Sequence, residues 1–478
     1  MMISILAAAA AAANVPPPPL PLGTVCASAE LAAPPRGWNS YDSSPPWTQS
    51  REASTEAATL QDADVLSAKL LPHGYDTLTL DSGWFGEDNL YGAQTIDEFG
   101  RLVPNTTQFP SSAGGAGLAP LVSEVHAKGL KMGIWIGGGV PRMAVEARSK
   151  IKGTQWTAAD IAIVDGATNK DGKSTGSMDC PWNKWLLHGI NHSHPGAGPY
   201  MASLADLYAD EWQLDFLKID CVFGGDWFRG SEYVPALIKA LKAKKRPMTI
   251  SLSPGSSVPN ATLAAVARDM ATALEQPLMA RLTGDFWDEW GPLVDHFAYA
   301  AELTRYTTPF FSPDLDMLPM GWIAHVGTGP RFSRFTEREQ RSMMTMWSMA
   351  RAPLIWGGSP TLSNATTLAL LTNQDVLDVQ TTSCRNQLVD RPGSANTTVA
   401  WVAQSANSAG GRFVGLWNLG SAAATVAVEW EALGLDQPPA AEDVTELWAG
   451  RPLSTGQSLS AKLAPHDSVL VRIEAHVR

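Results

Sequence analysis

Positive charge is in short supply in this chain of 478 residues: 35 Lys and Arg stand against 47 Asp and Glu, a formal net charge of -12. No Lys/Arg cluster offers a face that could track phosphates, so a nucleic-acid partner is not expected. Cysteine is scarce too. Four residues are too few for a disulfide scaffold and lack the paired CxxC spacing of a zinc site. No apolar stretch is long enough to cross a bilayer comfortably, so no membrane partner is expected. HExxH, the P-loop and a GxGxxG between strand and helix are missing, and Gly114-Gly115 and Gly137-Gly138-Gly139 read as turns. With 45% apolar and 17% charged residues, neither disorder nor coiled coil describes the whole, and the length allows one or two domains with a large core. Tryptophan is plentiful, 18 residues against 13 Phe and 8 Tyr. An indole stacks well on the apolar face of a sugar, although most tryptophans simply fill core.

Met1 to Ala13 form an alanine-rich apolar run ahead of Pro16-Pro17-Pro18-Pro19. A secretory signal suits this segment, with Ala27-Ser28-Ala29 as a cleavage candidate, although the basic n-region is missing; a low-complexity leader is the alternative. Residues 1–29 are therefore expected to be a leader, and the protein to be secreted or to reside in an endomembrane or vacuolar lumen. Five Asn-x-Ser/Thr acceptors, at Asn105, Asn191, Asn260, Asn364 and Asn396, are compatible with that route.

From about Gly37 to Gly358, short β-branched or aromatic runs alternate with amphipathic stretches. The expected strands are Arg36–Tyr41, Tyr75–Asp81, Lys131–Ile136, Asp215–Asp220, Pro247–Ser253, Met279–Thr283, a short run before Asp314, and Pro353–Gly357. Helical periodicity falls between several of them, at Ala119–Lys128, Met201–Trp212, Glu232–Lys244 and Glu337–Ala350. Eight β-then-α repeats predict a parallel sheet closed into a (β/α)8 TIM barrel over residues 30–380. After about Ser383 the texture changes to Ser, Thr, Val and Gly. Alternating runs at Thr398–Ala403, Arg412–Asn418, Ala424–Glu429 and Ser468–Ile473 predict an antiparallel β-sandwich over residues 381–478, with packing and sugar-binding duties.

The mouth of such a barrel lies at the C-terminal ends of its strands. Asp81, Asp220, Asp285, and Asp314 with Asp316 all sit at expected strand ends, flanked by Lys218 and Arg281. An Asp closing an apolar run is costly unless its charge is compensated or used. One such residue serves as an N-cap or a buried ion pair as readily as in catalysis; acids at four strand ends point to a carboxylate-based site. Two carboxylates with opposed roles suit glycoside hydrolysis. The competing metal reading rests on His188, His192 and His194, which lie beside Pro195 and Gly196 on an expected loop and read as solvent-facing polar side chains rather than a ligand set.

At this point the motifs amount to a resemblance. Gly37-Trp38-Asn39-Ser40-Tyr41, Leu80-Asp81-Ser82-Gly83-Trp84, Lys131-Met132-Gly133-Ile134-Trp135, Leu217-Lys218-Ile219-Asp220-Cys221, Arg281-Leu282-Thr283-Gly284-Asp285 and Asp314-Leu315-Asp316-Met317-Leu318 stand in the order seen in glycoside hydrolase family 27, the α-galactosidase or melibiase family. Trp347 to Leu354, Leu447-Trp448 and Ala464-Pro465-His466 continue the match, so it covers nearly everything after residue 35. The chain most resembles the plant-like branch with β-L-arabinopyranosidase and α-galactosidase activity, through Asp220-Cys221-Val222-Phe223-Gly224 and Ser251-Leu252-Ser253-Pro254-Gly255.

The resemblance implies a retaining double displacement without metal or organic cofactor, on a carbohydrate substrate. Asp220 would be the nucleophile and Asp285 the general acid and base. Lys218 would keep Asp220 ionised and donate to a sugar hydroxyl, and Arg281 would grip the sugar 2-position beside Asp285. Asp81 would accept hydroxyls at the far end of the ring, Asp316 would organise the site, and Trp38, Tyr41, Trp84 and Trp135 would frame it. Trp38 and Trp84 read equally as wall packing. The family similarly implies a Cys180–Cys221 disulfide; with Cys26 lost in the leader, Cys384 is left unpaired.

Two departures bear on specificity. Ser82 stands where α-galactosidases usually carry a second Asp that binds the axial 4-hydroxyl, and Ser253-Pro254-Gly255 where an acidic residue commonly lies near the 2-hydroxyl. A buried hydroxyl without its acceptor is penalised by about 1–3 kcal/mol. Other glycones (α-N-acetylgalactosamine, an isomaltose unit) and a sugar-binding protein without turnover therefore stay as alternatives, although retention of both Asp220 and Asp285 argues against lost turnover.

Overall fold

Eight short strands share one parallel sheet: β1 Arg36–Asn39, β2 Thr77–Leu80, β3 Lys131–Gly137, β4 Phe216–Asp220, β5 Thr249–Ser253, β6 Leu278–Arg281, β7 Phe311–Asp314 and β8 Leu354–Trp356. Each lies within, or within a residue or two of, a run expected from the sequence. The computed structural model describes residues 22–23, 25–44, 55–86, 94–163, 186–220, 222, 232–253, 261–325, 328–389, 397–454 and 456–474. Sheet order is β7-β6-β5-β4-β3-β2-β1-β8, every neighbouring pair parallel. Leu318, just past β7, bridges Trp356 of β8 in parallel register and closes the ring. The result is a (β/α)8 barrel, buried on both faces of its strands, which is why they read as near-continuous apolar runs.

Helices at Ala119–Ala127, Ala197–Ala205, Tyr233–Lys242 and Glu337–Met349 match the periodic stretches. The last begins at a capping box: Glu339 N–H donates to Thr336 Oγ1 at 3.3 Å and Thr336 N–H to Glu339 Oε2 at 2.8 Å. The histidine segment departs from expectation. Leu187–Ile190 is a short strand, not a loop, paired antiparallel with Val140–Pro141 and Ala162–Ile163. Only two-residue partners were available to signal it.

The C-terminal residues form β9 Ser383–Leu388, β10 Thr398–Ser405, β11 Arg412–Asn418, β12 Ala424–Glu429, β13 Val444–Glu446, β14 Ser458–Leu463 and β15 Ser468–Ile473. β9-β10-β11-β15-β13, with the two-residue strand Arg451–Pro452 at its edge, make one antiparallel sheet and β12-β14 the other. Val414, Leu416, Val426, Val428, Leu459 and Val471 fill the space between them, as the two-residue alternation predicts. This sandwich is fused to the barrel through helix Glu337–Met349. Trp417 Nε1 donates to Ser342 O at 3.1 Å, Trp448 Nε1 to Thr345 Oγ1 at 2.9 Å, and the His466 ring stacks on Trp290 at 4.0 Å.

The cysteine expectation needs correction. Cys384 is bridged to Cys26. Cys180 and Cys221 lie outside the described residues. The bridge forms because the segment before β1 lies along the sandwich: Gly23 N–H donates to Gln404 Oε1 at 2.8 Å, and Glu30 pairs with Arg385 at 3.2 Å. Buried Arg351 adds bonds to the carbonyls of Glu30 and Ala32, at 2.8 and 2.6 Å. A leader ending at residue 29 would carry half the bridge away. A disulfide is typically worth about 2–4 kcal/mol, chiefly through lost entropy of the unfolded state. Cys384→Ser should therefore lower the thermal midpoint, and reductant should lower the wild-type midpoint but not that of the variant. Non-reducing peptide mapping of mature protein should recover the Cys26 and Cys384 peptides joined.

Candidate active site

Strand alternation turns Phe216, Lys218 and Asp220 of β4 into the barrel, and Ser251 and Ser253 of β5 likewise. Register then levels the upper rim. Asp220 lies beside Gly137 of β3 and Ser253 of β5, and Asp314 beside Arg281 of β6. Beneath them Phe216, Met279, Met317 and Ile355 form an apolar plug, against which Tyr41 packs. Above the plug the interior is polar.

Its left wall is built on Asp81. Asp81 Oδ2 accepts from Lys218 Nζ at 2.8 Å and from Asn39 Nδ2 at 2.9 Å, while Oδ1 accepts the Ser82 N–H at 2.8 Å. Burial alone lowers the pKa of the Lys218 ammonium, but Asp81 and Asp220 outweigh it and the net shift is upward. Lys218 is thus hydrogen-bonded to Asp81 rather than to Asp220, on which it acts through its field. Asp220 accepts from Trp135 Nε1 at 3.2 Å.

The right wall is built on Arg281. Its guanidinium reaches Asp285 at 2.8 Å and Asp316 at 3.8 Å, and donates to Thr283 O at 3.2 Å. Burial again opposes the charge, and Asp316, Asp285 and Asp220 more than restore it, raising the arginine pKa. Asp316 has φ of +82°, a costly conformation for a non-glycine residue. Its surroundings over-determine it: it receives N–H bonds from Phe286 and Met317, both at 2.8 Å, and its own N–H donates to Asp314 Oδ1 at 2.9 Å. Asp285 and Asp220 differ sharply in exposure. The Asp285 side chain is 57% exposed at the rim, whereas Asp220 is 8% exposed in the pocket.

Tyr41 spans the two walls, with Lys218 Nζ 5.1 Å from its ring centroid. Trp38 and Trp84 do not join the pocket. Strand alternation aims Trp38 outward, its indole donating to Gly358 O at 2.8 Å; Trp84 donates to Trp135 O at 3.0 Å and packs edge-on against Trp212. Ser82 and Ser253 are buried at the ends of β2 and β5, and no charge stands in their places.

Among the buried acids not singled out in the sequence, one lies within the field of this site. Asp42 follows Tyr41 at the end of the β1 turn, and its Oδ2 has no hydrogen-bond partner among the described residues. It fits only because residue 357 is glycine: a Cβ there would lie 2.0 Å from that oxygen. Burial first, then repulsion from Asp316, pushes its pKa well above the carboxylate range. An acid immediately after a strand motif was the available signal. The histidines diverge: His194 packs on Trp156 and His192 beside Tyr233, and among the described residues no group of three His, Cys, Asp or Glu is placed to hold a metal.

Comparisons with known proteins agree with this architecture. Residues 395–473 match the family model of the alpha galactosidase C-terminal beta sandwich domain. An α-galactosidase of Oryza sativa subsp. japonica is 26% identical over 436 residues, 91% of this chain and 83% of its own length. Among solved structures, a GH27 β-L-arabinopyranosidase from Geobacillus stearothermophilus superposes with a TM-score of 0.82 at 33% identity, covering 93% of this chain and 97% of that one. A Bacillus halodurans protein provisionally assigned as an α-N-acetylgalactosaminidase follows at 0.76 and 31%, covering 93% and 97%.

Asp314 offers a test of the crowded interior. Burial, then the neighbouring Asp316, raises its pKa from 3.8 to about 7. A carboxyl whose folded pKa exceeds its unfolded one binds its proton more tightly when folded, so its contribution to stability declines as pH rises through that interval. Asp314→Asn keeps an acceptor for the Asp316 N–H and removes the charge. Its thermal midpoint relative to wild type should climb between pH 4 and pH 8, and melts at both ends and at pH 6 check the trend. A difference independent of pH would show the charge carries no such cost.

Proposed function

Because this chain belongs to glycoside hydrolase family 27 and is a glycoside hydrolase of α-galactosidase type, we propose that it removes terminal α-D-galactosyl or the stereochemically related β-L-arabinopyranosyl residues with retention of configuration. The observation that carries this reading is the presence at one barrel mouth of a buried Asp220, in the field of Lys218, and an exposed Asp285, paired with buried Arg281.

Asp220 attacks the anomeric carbon and forms a glycosyl ester, while Asp285 gives its proton to the departing oxygen. Lys218, raised in pKa and close to Asp220, favours the ionised nucleophile. Asp285 then takes a proton from water, which releases the sugar. Burial suits Asp220, which must exclude competing water; exposure suits Asp285, which must meet the leaving group. Asp81 and Lys218 offer an acceptor and a donor to ring hydroxyls opposite the scissile bond, and Arg281 faces the 2-position with Ser253. Trp135 bounds the pocket at Asp220.

The small residues Ser82 and Ser253 take charged acceptors away from the glycone pocket. β-L-Arabinopyranose, which is galactose without its hydroxymethyl carbon, keeps the hydroxyls at ring positions 2 and 4, so the altered pocket meets both sugars with the same acceptors. Similarity to the Bacillus halodurans protein supports the second reading, an N-acetylated sugar with its bulk near Ser253. Residues 30–380 would carry the chemistry and 381–478 the supporting sandwich. The Cys26–Cys384 bridge supports an oxidising compartment, outside the cell or within the endomembrane lumen, with any leader cleaved before Cys26.

A panel of nitrophenyl glycosides, with and without chelator, identifies the glycone, and EDTA should leave kcat/KM unchanged. Asp220→Ala should be inactive on every substrate. Asp285→Ala should lose about 10²–10⁴-fold on sugar leaving groups and far less on activated phenols. Azide, which needs no deprotonation, should partly restore turnover of Asp285→Ala. An inverted first product by NMR, or an Asp285→Ala enzyme equally dead on all leaving groups, would contradict the assignment.

A further inference from the structure

The loop that carries Asp285 alternates in burial. Phe286 and Asp288 are buried, whereas Asp285 is exposed and Trp287 is half-buried. Both inward positions are bolted down. Phe286 packs on His296 and Trp347, with ring centroids 4.5 and 5.4 Å away, and its N–H donates to Asp316. Asp288 takes a two-pronged bond from Arg331, at 2.5 and 2.9 Å, and accepts the Arg334 N–H at 2.6 Å. Arg331 belongs to an antiparallel hairpin, Trp322–His325 paired with Gly329–Phe332. In that register Ile323, His325 and Arg331 share one face, towards the Asp285 loop; Trp322 and Phe332 share the other.

His325 on the inner face meets Trp287 edge to face at 4.4 Å, and Trp287 lies 6.2 Å from Tyr41. Aromatic rings therefore continue outward from the pocket: Lys218 lies over Tyr41, Tyr41 neighbours Trp287, and His325 supports Trp287 from behind. No function described above uses Trp287 or the hairpin. The half-buried indole, two residues from the proposed acid, presents apolar surface on the same side of the loop as Asp285.

We propose that Trp287, backed by His325 and clamped through the Asp288–Arg331 pair, is the binding platform for the leaving-group sugar. The inference rests on the glycosidase reading with Asp285 as the acid. The leaving oxygen must lie within hydrogen-bond reach of Asp285, so the sugar bearing it extends over the same exposed side of the loop, where the indole meets an apolar pyranose face. In the reverse direction the platform holds an acceptor sugar. Its hydroxyl oxygen attacks the anomeric carbon, the bond to Asp220 breaks with its electron pair returning to the carboxylate, and Asp285 takes the hydroxyl proton.

The test compares a glycosyl fluoride, whose leaving group is too small to reach the indole, with a disaccharide bearing the same glycone. In Trp287→Ala the ratio of disaccharide to fluoride kcat/KM should fall about 3–10-fold, the worth of one aromatic stack. Trp287→Phe should fall less. Phe332→Ser, on the hairpin's outer face, should leave the ratio at the wild-type value. In the wild type, transfer of glycone from the fluoride to added free hexose should saturate with hexose concentration, and in Trp287→Ala that saturation should weaken. Equal losses on both substrates, with unchanged transfer, would make Trp287 a support for the loop and overturn the platform while leaving the glycosidase reading intact. Failure of the wild type to hydrolyse either substrate would overturn both.

Discussion

Two cations, Lys218 and Arg281, stand inside the barrel with carboxylates around them, and the geometry of the mouth follows from how those charges are shared. Neither would be tolerated alone in that setting, since a buried unpaired charge is costly. Paired, each becomes a fixed point. Lys218 ties β4 to Asp81 at the end of β2, and Arg281 ties β6 to the loop of Asp285 and to Asp316 beyond β7. The barrel's parallel register supplies the rest, because it lifts the ends of neighbouring strands to one level.

The acids outnumber the cations, and the surplus has been managed in different ways. Asp314 and Asp42 are pushed towards the neutral form by burial and by their charged neighbours. Asp316 is held in an unfavourable backbone conformation by hydrogen bonds from several directions, so its strain is met by the surrounding structure. Asp285 reaches solvent at the rim. A site organised in this manner is buried at its base and accessible at its edge, which suits the roles proposed for Asp220 and Asp285.

The sandwich and the segment before β1 contribute no described group to that mouth. Their role is mechanical. Helix Glu337–Met349 lies between barrel and sandwich, and through its Trp347 it also hydrogen-bonds the backbone of Asp316 at 3.0 Å. The same helix meets Trp417, Trp448 and His466 on its other side. One helix thereby ties the sandwich to the backbone of Asp316.

Much of this was legible from residue order alone. All eight barrel strands were visible because parallel strands buried on both faces read as apolar runs, and the helices because one face of each must be apolar. Acids closing those runs marked the mouth, since a strand's end is a local property. Pairings were not legible in the same way. That Lys218 bonds Asp81, that Cys384 finds Cys26 across 358 residues, and that Asp42 depends on Gly357 are contacts between distant segments, which no local pattern encodes. Trp38 and Trp84 illustrate the boundary: their motifs belong to the pocket strands, yet alternation and neighbours turn both away from it. Residue order was enough to place the chemistry-bearing residues at strand ends; which of them face one another follows from closure of the barrel, because that depends on register and burial across the whole ring.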